Sequence, residues 1–425
     1  MQHNIYAAES ADIKHFVSGE KKKNDHYLHA VIRFDGLIDE KMLGQAIQET
    51  LPVLPLLECR YVESDDKAYW EEAGWSGQDM VLVVETDDVE DSIQKNLTVK
   101  LNEKIGPQLR IAIVRNNDQD SLAIILNHMI CDGGGFKDYL YLLSSCYTRL
   151  AERKPTAEAL ITNPHPHTRS IHQVFDTMNA EQLEQIKHAK LTNYKQSKID
   201  HLPLAGDENN PFIITHEVKA SQFDYIKNYA KSKGATINDA LFAAYVCALS
   251  EVVNANPIVL DCPVNLRAYL PVGSRPGFCN LTSNITCVVP SHVGESYDEA
   301  LMSVRKVMEV EKGSLEPLRV YWDLEEAYQN HTLAEAKGIF PTIYSIPVNG
   351  MTNIGIVDEQ KLSFAGLVIR DVFISGSIKY APYFQIAVTT FRKKMTFCTN
   401  FHGTQEDHHF LDAFVNQIIS KLPHA

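Results

Sequence analysis

Apolar and polar residues in the first quarter of the chain follow strand-like and then helix-like spacings, which predicts an α/β fold. The stretch from Tyr27 to Phe34 alternates as a strand does, and Asp39 stands where a helix cap is expected. The run from Leu122 to Leu126 is continuously apolar, as expected of a strand buried on both faces. The predicted elements are a helix from Asp39 to about Thr50 and strands over residues 27–34, 56–62, 108–115 and 121–126.

Polar residues of chemical interest follow the last of these strands directly. The segment reads Asn127-His128-Met129-Ile130-Cys131-Asp132-Gly133. A helix is predicted next, because apolar side chains recur at helical spacing along one face. These side chains are Phe136, Leu140, Leu143, Tyr147 and Leu150.

A proline-containing segment separates two halves of the chain. Residues 163–170 contain two prolines two positions apart, which neither a helix interior nor a central strand accommodates. We therefore predict an N-terminal domain, a crossover linker with a helix, and a C-terminal domain. Their predicted ranges are residues 1–170, 171–205 and 206–425.

The second half repeats the strand and helix pattern of the first. A polar helix is predicted over roughly residues 180–195, and Thr236 or Asn238 can cap a buried helix whose body begins near Ala240. Further strands are predicted over residues 258–264, 282–289, 367–374, 383–390 and 396–401.

Composition and charge narrow the functional classes. The 425 residues carry a formal net charge of −14 at pH 7, and so acidic a surface repels nucleic-acid phosphates. The first ten residues lack the regions of a secretory signal, and the longest apolar run, residues 240–249, is too short to span a membrane. The eight cysteines form no Cys-x-x-Cys pair and most lie in apolar segments. This predicts buried, reduced thiols in a cytoplasmic protein.

General chemistry points first to His128. It follows the C-terminal end of a buried strand, where α/β sheets place ligands, and an imidazole titrates near neutrality. It can therefore take a proton from a hydroxyl or amine and pass it to a leaving group. Gly133-Gly134-Gly135 offers no side chains, so a substrate can approach the backbone closely. From the residues alone, a hydrogen-bonded structural histidine and an ordinary glycine turn remain open interpretations.

The pattern His128-x-x-x-Asp132-Gly133 resembles the signature of the chloramphenicol acetyltransferase-like superfamily. This group includes nonribosomal peptide condensation domains, BAHD-type plant acyltransferases, wax ester synthases and alcohol acetyltransferases. Three further segments resemble family segments and occur in family order, namely Gly36 to Arg60, Gly234 to Asp239 and Asp261 to Pro271. The resemblance covers nearly the whole chain and implies two α/β domains in a V with a channel between them. It departs from many condensation domains at Asn127, where they carry a second histidine.

The resemblance also implies roles for individual residues. His128 would be the general base, and Asp132 would pair with Arg267 of the second half, with Gly133 beside them. Possible oxyanion or substrate-lining residues are Asn280, Ser283, Asn284 and Asn353. Without the resemblance, Arg267 can also be interpreted as a solvated cation at a strand end, and residues 277–284 as a loop that caps its own backbone.

The implied reaction transfers an acyl group from a thioester to a hydroxyl or amine of a small-molecule acceptor. Acyl-CoA or a phosphopantetheine thioester would be the co-substrate, with no bound cofactor. The enzyme is expected to be a monomer with no nucleic-acid partner and no stable membrane insertion. Two alternatives stay open, a stand-alone condensation enzyme supplied by an acyl or peptidyl carrier protein and a non-catalytic scaffold of the same fold.

Other polar clusters are expected to have no catalytic role. His165 and His167, like His408 and His409, lack a carboxylate or cysteine at ligand spacing, so no metal site is predicted. Arg392-Lys393-Lys394 is interpreted as the solvated charges of a hairpin turn.

Overall fold

The structure is a computed structural model, and it describes residues 4–156, 168–192, 199–253, 255–274 and 276–424. In chain order the strands are β1 (Ile5–Ala7), β2 (Tyr27–Asp35), β3 (Cys59–Glu63), β4 (Ala68–Glu72), β5 (Val81–Glu85), β6 (Leu109–Asn116), β7 (Gln119–Asn127), β8 (Pro211–Val218), β9 (Ile258–Asn265), β10 (Thr282–Val289), β11 (Asn349–Val357), β12 (Val368–Ser375), β13 (Lys379–Tyr380), β14 (Phe384–Phe391) and β15 (Lys394–His402).

Helices lie between groups of these strands along the chain. They are α1 (Ser10–Glu20), α2 (Glu40–Thr50), α3 (Val89–Leu97), α4 (Gly133–Ala151), α5 (His172–Phe175), α6 (Ala180–Lys187), α7 (Ala220–Ser232), α8 (Ile237–Val253), α9 (Tyr297–Glu311), α10 (Glu316–Asn330), α11 (Leu333–Ile343) and α12 (Gln405–Lys421). Asp39 caps α2 by accepting from the backbone N–H of Met42, and Thr236 accepts from Asp239 N at the start of α8. The predicted caps are therefore present, with Thr236 rather than Asn238 at α8.

Two large mixed sheets form the two halves of the molecule. The first has the strand order β12-β2-β7-β6-β5, and the second has β10-β9-β11-β14-β15, with β8 and β13 also pairing with β15. A small sheet of order β1-β4-β3 accompanies the first half. The α/β class predicted from the apolar pattern is confirmed.

The central strands of the first sheet are buried on both faces because they carry apolar side chains on both. In β7, Leu122, Ile124 and Leu126 join the main core, whereas Ala123 and Ile125 join a smaller cluster on the other face. This confirms the prediction made from the continuous apolar run. β7 ends at Asn127, so the burial of this strand sets His128 at the margin of the sheet.

The C-terminal part of the chain completes the first sheet. β12 pairs antiparallel with β2, from Val368 opposite Asp35 to Ser375 opposite His29. Helices α10 and α11 also contribute side chains to the core of the first half. The domain ranges 1–170 and 206–425 remain predictions. They do not coincide with the two sheets, because residues 368–375 of the second range lie in the first sheet.

Two predicted boundaries differ from the observed ones by more than the one or two residues seen at the other strands. Residues Pro55–Glu58 form a tight 3-10 turn, because the proline starts a turn there, and the strand predicted from residue 56 begins only at Cys59. The polar helix predicted over residues 180–195 ends at Lys187, since only Ile186 of α6 is buried and the helix has little apolar face to pack. Most of the linker segment, with His165 and His167, lies outside the described residues.

The cysteines and the helix lengths bear on two further predictions. All eight cysteines are free and buried, as predicted. In the described ranges no single helix has the length and apolar character needed to cross a membrane, and α7 and α8 meet that test only as a pair bent by 98°.

Candidate active site

The turn between β7 and α4 carries His128 and is fixed by its own side chains. Asn127 Oδ1 accepts a hydrogen bond from Met129 N at 2.9 Å, and Asn127 Nδ2 donates to Gln108 Oε1 at 2.8 Å. Asp132 caps α4, with its Oδ1 accepting from Gly135 N at 2.9 Å. Asn127 thus fixes the backbone conformation of the segment that carries the imidazole.

Side chains from elsewhere in the chain satisfy the carbonyl groups of this turn. Asn280 Nδ2 donates to the carbonyl oxygens of His128 and Met129 at 2.8 and 2.9 Å. Arg169 donates to Met129 O at 3.2 Å and forms an ion pair with Asp12 at 2.7 Å. Buried carbonyl groups need such partners, so both side chains hold the turn in one conformation.

An ion pair joins this turn to the second half. Asp132 Oδ2 accepts from Arg267 Nη1 at 2.8 Å, and also from Leu281 N at 2.7 Å and Thr282 Oγ1 at 2.9 Å. Burial alone would raise the pKa of Asp132, but the charge and hydrogen bond of Arg267 outweigh it and bring the pKa to about 2. The contact that the resemblance implied between these residues is present in the structure.

The His128 imidazole is half-buried and faces a cavity between the two halves. Its Nδ1 is buried without a hydrogen bond to another residue, which leaves Nε2 as the nitrogen turned toward the cavity. Burial lowers the pKa of His128 to about 4, although a hydrogen bond to its own backbone carbonyl and the charge of Asp132 act in the opposite direction. The ring is therefore neutral at pH 7 and able to accept a proton.

Both halves line the cavity. The first half contributes His128, the start of α4 and the polar residues Lys14, His15 and Asn24. The second half contributes segments around residues 263–267, 282–284, 344–354 and 376–385. Within this wall Gly133 and Gly134 line the cavity together with His128, and Gly135 packs against Cys131 and Arg267.

Only some of the possible oxyanion or lining residues reach the cavity. Asn284 and Asn353 line it, and Asn284 Nδ2 donates to Tyr344 Oη at 3.3 Å. The prediction is wrong for Asn280 and Ser283. The amide nitrogen of Asn280 is already used on the His128 turn, and Ser283 is 2% exposed on the other face of β10.

Sequence reasoning missed three residues of this site, Lys14, His15 and Lys379. The His15 ring stacks on the His128 ring, with centroids 4.1 Å apart and planes at 23°, and so restricts its orientation. Lys14 Nζ donates to Tyr321 Oη at 3.1 Å. Burial lowers the pKa values of both lysines to about 8. No motif marks these residues, since each is a single polar residue far in sequence from His128.

The remaining polar clusters have ordinary structural surroundings. In the part of the chain that the structure describes, no group of three or more His, Cys, Asp or Glu side chains could hold a metal ion. Arg392 and Lys393 form the turn between β14 and β15, where they pair with Glu359 and Asp224. The hairpin prediction is confirmed for Arg392 and Lys393, whereas Lys394 begins β15 and pairs with Glu217 and Asp371.

Known proteins resemble this chain along a short stretch of sequence and along nearly the whole structure. No family model matches the chain. Bacitracin synthase 3 of Bacillus licheniformis is 28% identical over 145 residues, which are 32% of this chain and 2% of that protein. The chain thus matches only a small fraction of that relative's length.

Solved structures match along nearly the full chain. The first condensation domain of the calcium-dependent antibiotic synthetase has a TM-score of 0.65 and 13% identity, covering 99% of this chain and 96% of that one. Trichothecene 15-O-acetyltransferase from Fusarium sporotrichioides has a TM-score of 0.69 and 13% identity, with the same coverage of both chains. This chain therefore has the chloramphenicol acetyltransferase-like fold, with two α/β lobes and a channel between them, as the resemblance implied.

Proposed function

We propose that this protein transfers an acyl group from a thioester, with acyl-CoA as donor, to a hydroxyl or amine of a small-molecule acceptor. The observation that carries the proposal is a neutral imidazole, His128, exposed to a cavity between two lobes. The ion pair of Asp132 with Arg267 fixes the turn beneath it. Similarity to an acetyltransferase and to condensation domains supports the same class of reaction.

In the proposed mechanism His128 Nε2 removes the proton from the acceptor hydroxyl or amine. The freed lone pair attacks the thioester carbonyl carbon and forms a tetrahedral intermediate with an oxyanion. Collapse of the intermediate breaks the carbon–sulfur bond, and the imidazolium returns its proton to the departing thiolate. The reaction needs no covalent enzyme intermediate, and the imidazole ends in its starting protonation state.

Nearby groups would assist this cycle. The stacked His15 ring holds the imidazole plane, and Asp132 stabilises the imidazolium at a distance while its carboxylate stays bonded to Arg267. Asn284 and Asn353 are the remaining candidates from the sequence for a hydrogen bond to the oxyanion.

A thiol-release assay over a panel of acyl-CoAs and acceptors tests the proposal. His128→Ala should lower kcat by about 10²–10⁴-fold while the melting temperature stays close to that of the unchanged protein. His216→Ala is the matched control, because His216 is half-buried and bonded to Asp412 at 2.9 Å but does not line the cavity. Full activity of the His128 variant would exclude the mechanism.

A second candidate changes only the donor. The sequence match to a peptide synthase and the structural match to a condensation domain favour a thioester bound to a carrier protein. Turnover with acyl-CoA alone supports the first proposal. Thiol release that requires an acylated carrier protein supports the second, and kcat of the His128 variant should fall by about 10²–10⁴-fold in both assays.

A further inference from the structure

Lys379 is a buried cation between the two halves, since its backbone pairs with Phe401 and bridges to Asn24. It is 5% exposed and lines the same cavity as His128. Backbone hydrogen bonds hold it there, since Asp25 N donates to Ile378 O at 3.0 Å and Tyr380 N donates to Lys23 O at 3.2 Å. The same segment of the first half carries His26, whose carbonyl accepts from His128 N at 2.9 Å. These backbone hydrogen bonds thus hold Lys379 close to the turn that carries the imidazole.

The ammonium of Lys379 has no partner among the residues that the structure describes. Among the described residues, none accepts a hydrogen bond from its Nζ and no carboxylate lies within ion-pair distance. The charge of Asp25 acts on it from farther away, and Asp25 Oδ1 is already bonded to the backbone N–H groups of Tyr27 and Ile378. A buried ammonium without a partner is unfavourable, so this side chain is available for an anion that enters the cavity.

The other cations of the cavity are already engaged. Lys14 donates to Tyr321 Oη and lies 4.7 Å from the centres of the Tyr321 and Tyr344 rings. Lys137 Nζ donates to Ile354 O at 3.0 Å, and Arg267 is paired with Asp132. The cavity wall is therefore cationic in a chain whose net charge is −14. Among its lysines and Arg267, Lys379 is the one whose charged group has no acceptor among the described residues.

We propose that Lys379 binds a carboxylate of the substrate beside the reacting thioester. The inference rests on the proposed function and adds a substrate class to it, an acid in which the carboxylate belongs to either the acyl group or the acceptor. A phosphate of CoA is a poor candidate for this position, because the whole pantetheine arm separates those phosphates from the thioester carbon. A carboxylate reaches the ammonium only if it lies near the reacting atoms.

Equilibrium binding of acid and neutral probes tests this proposal without requiring turnover. For the acyl source, succinyl-CoA is compared with butyryl-CoA. For the acceptor source, glycolate is compared with glycolamide and β-alanine with β-alaninamide. At least one acid should bind about 10- to 100-fold more tightly than its neutral partner, as expected for one charge-assisted hydrogen bond. The pair that shows the preference identifies the source of the carboxylate.

Variants of Lys379 assign the preference to this residue. Lys379→Met should abolish the preference for the acid, and Lys379→Arg, which keeps the charge, should retain most of it. Lys137→Met is the matched control and should leave the ratio of the two dissociation constants unchanged, because that ammonium is already bonded to a backbone carbonyl.

Two results would overturn the proposal. One is equal binding of every acid and its neutral partner to the unchanged protein. The other is a preference that survives Lys379→Met. If no donor releases thiol while an acid is still preferred through Lys379, the acyl-transfer proposal fails and the carboxylate site stands. If thiol is released but no acid is preferred, the carboxylate site fails and the acyl-transfer proposal stands.

Discussion

Replacing Asp132 by asparagine removes one charge from the ion pair between the lobes and preserves the shape of the side chain. The carboxylate accepts four hydrogen bonds, from Arg267, Leu281, Thr282 and Gly135, and its side chain is 1% exposed. An amide can present an oxygen to one side only. Its NH₂ group would therefore face either the backbone N–H of Gly135 or the three donors on the opposite side.

The size of the effect follows from burial and from the pKa of Asp132. Breaking a buried ion pair by removing one partner costs about 3–5 kcal/mol. The drop in the pKa of Asp132 from 3.8 to about 2 corresponds independently to roughly 2–3 kcal/mol. The lowered pKa means that this stabilisation is present above pH 4 and is lost as pH falls through about 2. A loss of about 4 kcal/mol lowers Tm by about 4–5 °C for a chain of 425 residues that unfolds as one unit.

Urea unfolding at pH 7, followed by tryptophan fluorescence, measures the loss. The cycle of Asp132→Asn, Arg267→Met and the double variant should give a coupling energy of about 2 kcal/mol or more. Asp120→Asn is the matched control. Asp120 is also buried and pairs with Arg115 at 2.8 Å, but it does not line the cavity. It should lose stability and keep its activity below the unfolding temperature, whereas the Asp132 variant should lose both.

A loss below about 1 kcal/mol for Asp132→Asn, or simple additivity of the Asp132 and Arg267 substitutions, would refute a stabilising ion pair. Either result would mean that the 2.8 Å contact does not carry the stability of the turn. Retained stability with lost activity would instead give Asp132 a direct part in the chemistry.

Two further predictions concern the same turn. With a hydroxyl acceptor, the acid limb of the kcat/KM profile should lie near the lowered pKa of His128, about 4, because the imidazole is active when unprotonated; a limb near the ordinary value of 6.5 would contradict its burial. Gly135→Ala should lower the free energy of unfolding measured in urea, because the new Cβ would lie 3.0 Å from Cys131 Cβ. Gly133→Ala should be tolerated, because its Cβ would meet only the flexible end of Ile354, at 3.1 Å. Equal stability of the two glycine variants would show that crowding is not decisive.

The sequence predicts the secondary structure well where the signal is local. The strand predicted over residues 282–289 is observed as β10, Thr282–Val289. Its alternating apolar positions lie within the strand, and its flanking turns are adjacent in sequence. The partner of β12 could not be predicted, because its apolar residues fit either sheet and only the folded chain shows that it pairs with β2. The contact of Asp132 with Arg267 came from the resemblance, and spacing alone left Arg267 open as a solvated cation.

The candidate site was only partly predictable for the same reason. His128 belongs to a contiguous motif, whereas Lys14, His15 and Lys379 reach the cavity from α1 and β13, and nothing local to those elements distinguishes them from other polar residues. The oxyanion or substrate-lining role predicted for Asn280 does not agree with its hydrogen bonds in the structure. The resemblance implied an oxyanion donor at this position, but the amide group of Asn280 donates instead to the carbonyl oxygens of His128 and Met129.

The bonds of the His128 turn explain why catalysis would take place at the seam between lobes and not within one of them. The imidazole is mounted on the first sheet, yet the carbonyls and the carboxylate beneath it are bonded by Asn280 and Arg267 of the second half. Separating the lobes would leave those buried groups unsatisfied, at a cost of several kcal/mol. Substrates would therefore reach His128 while the two lobes stay together. A donor and an acceptor that enter separately can then meet at one imidazole whose position does not change.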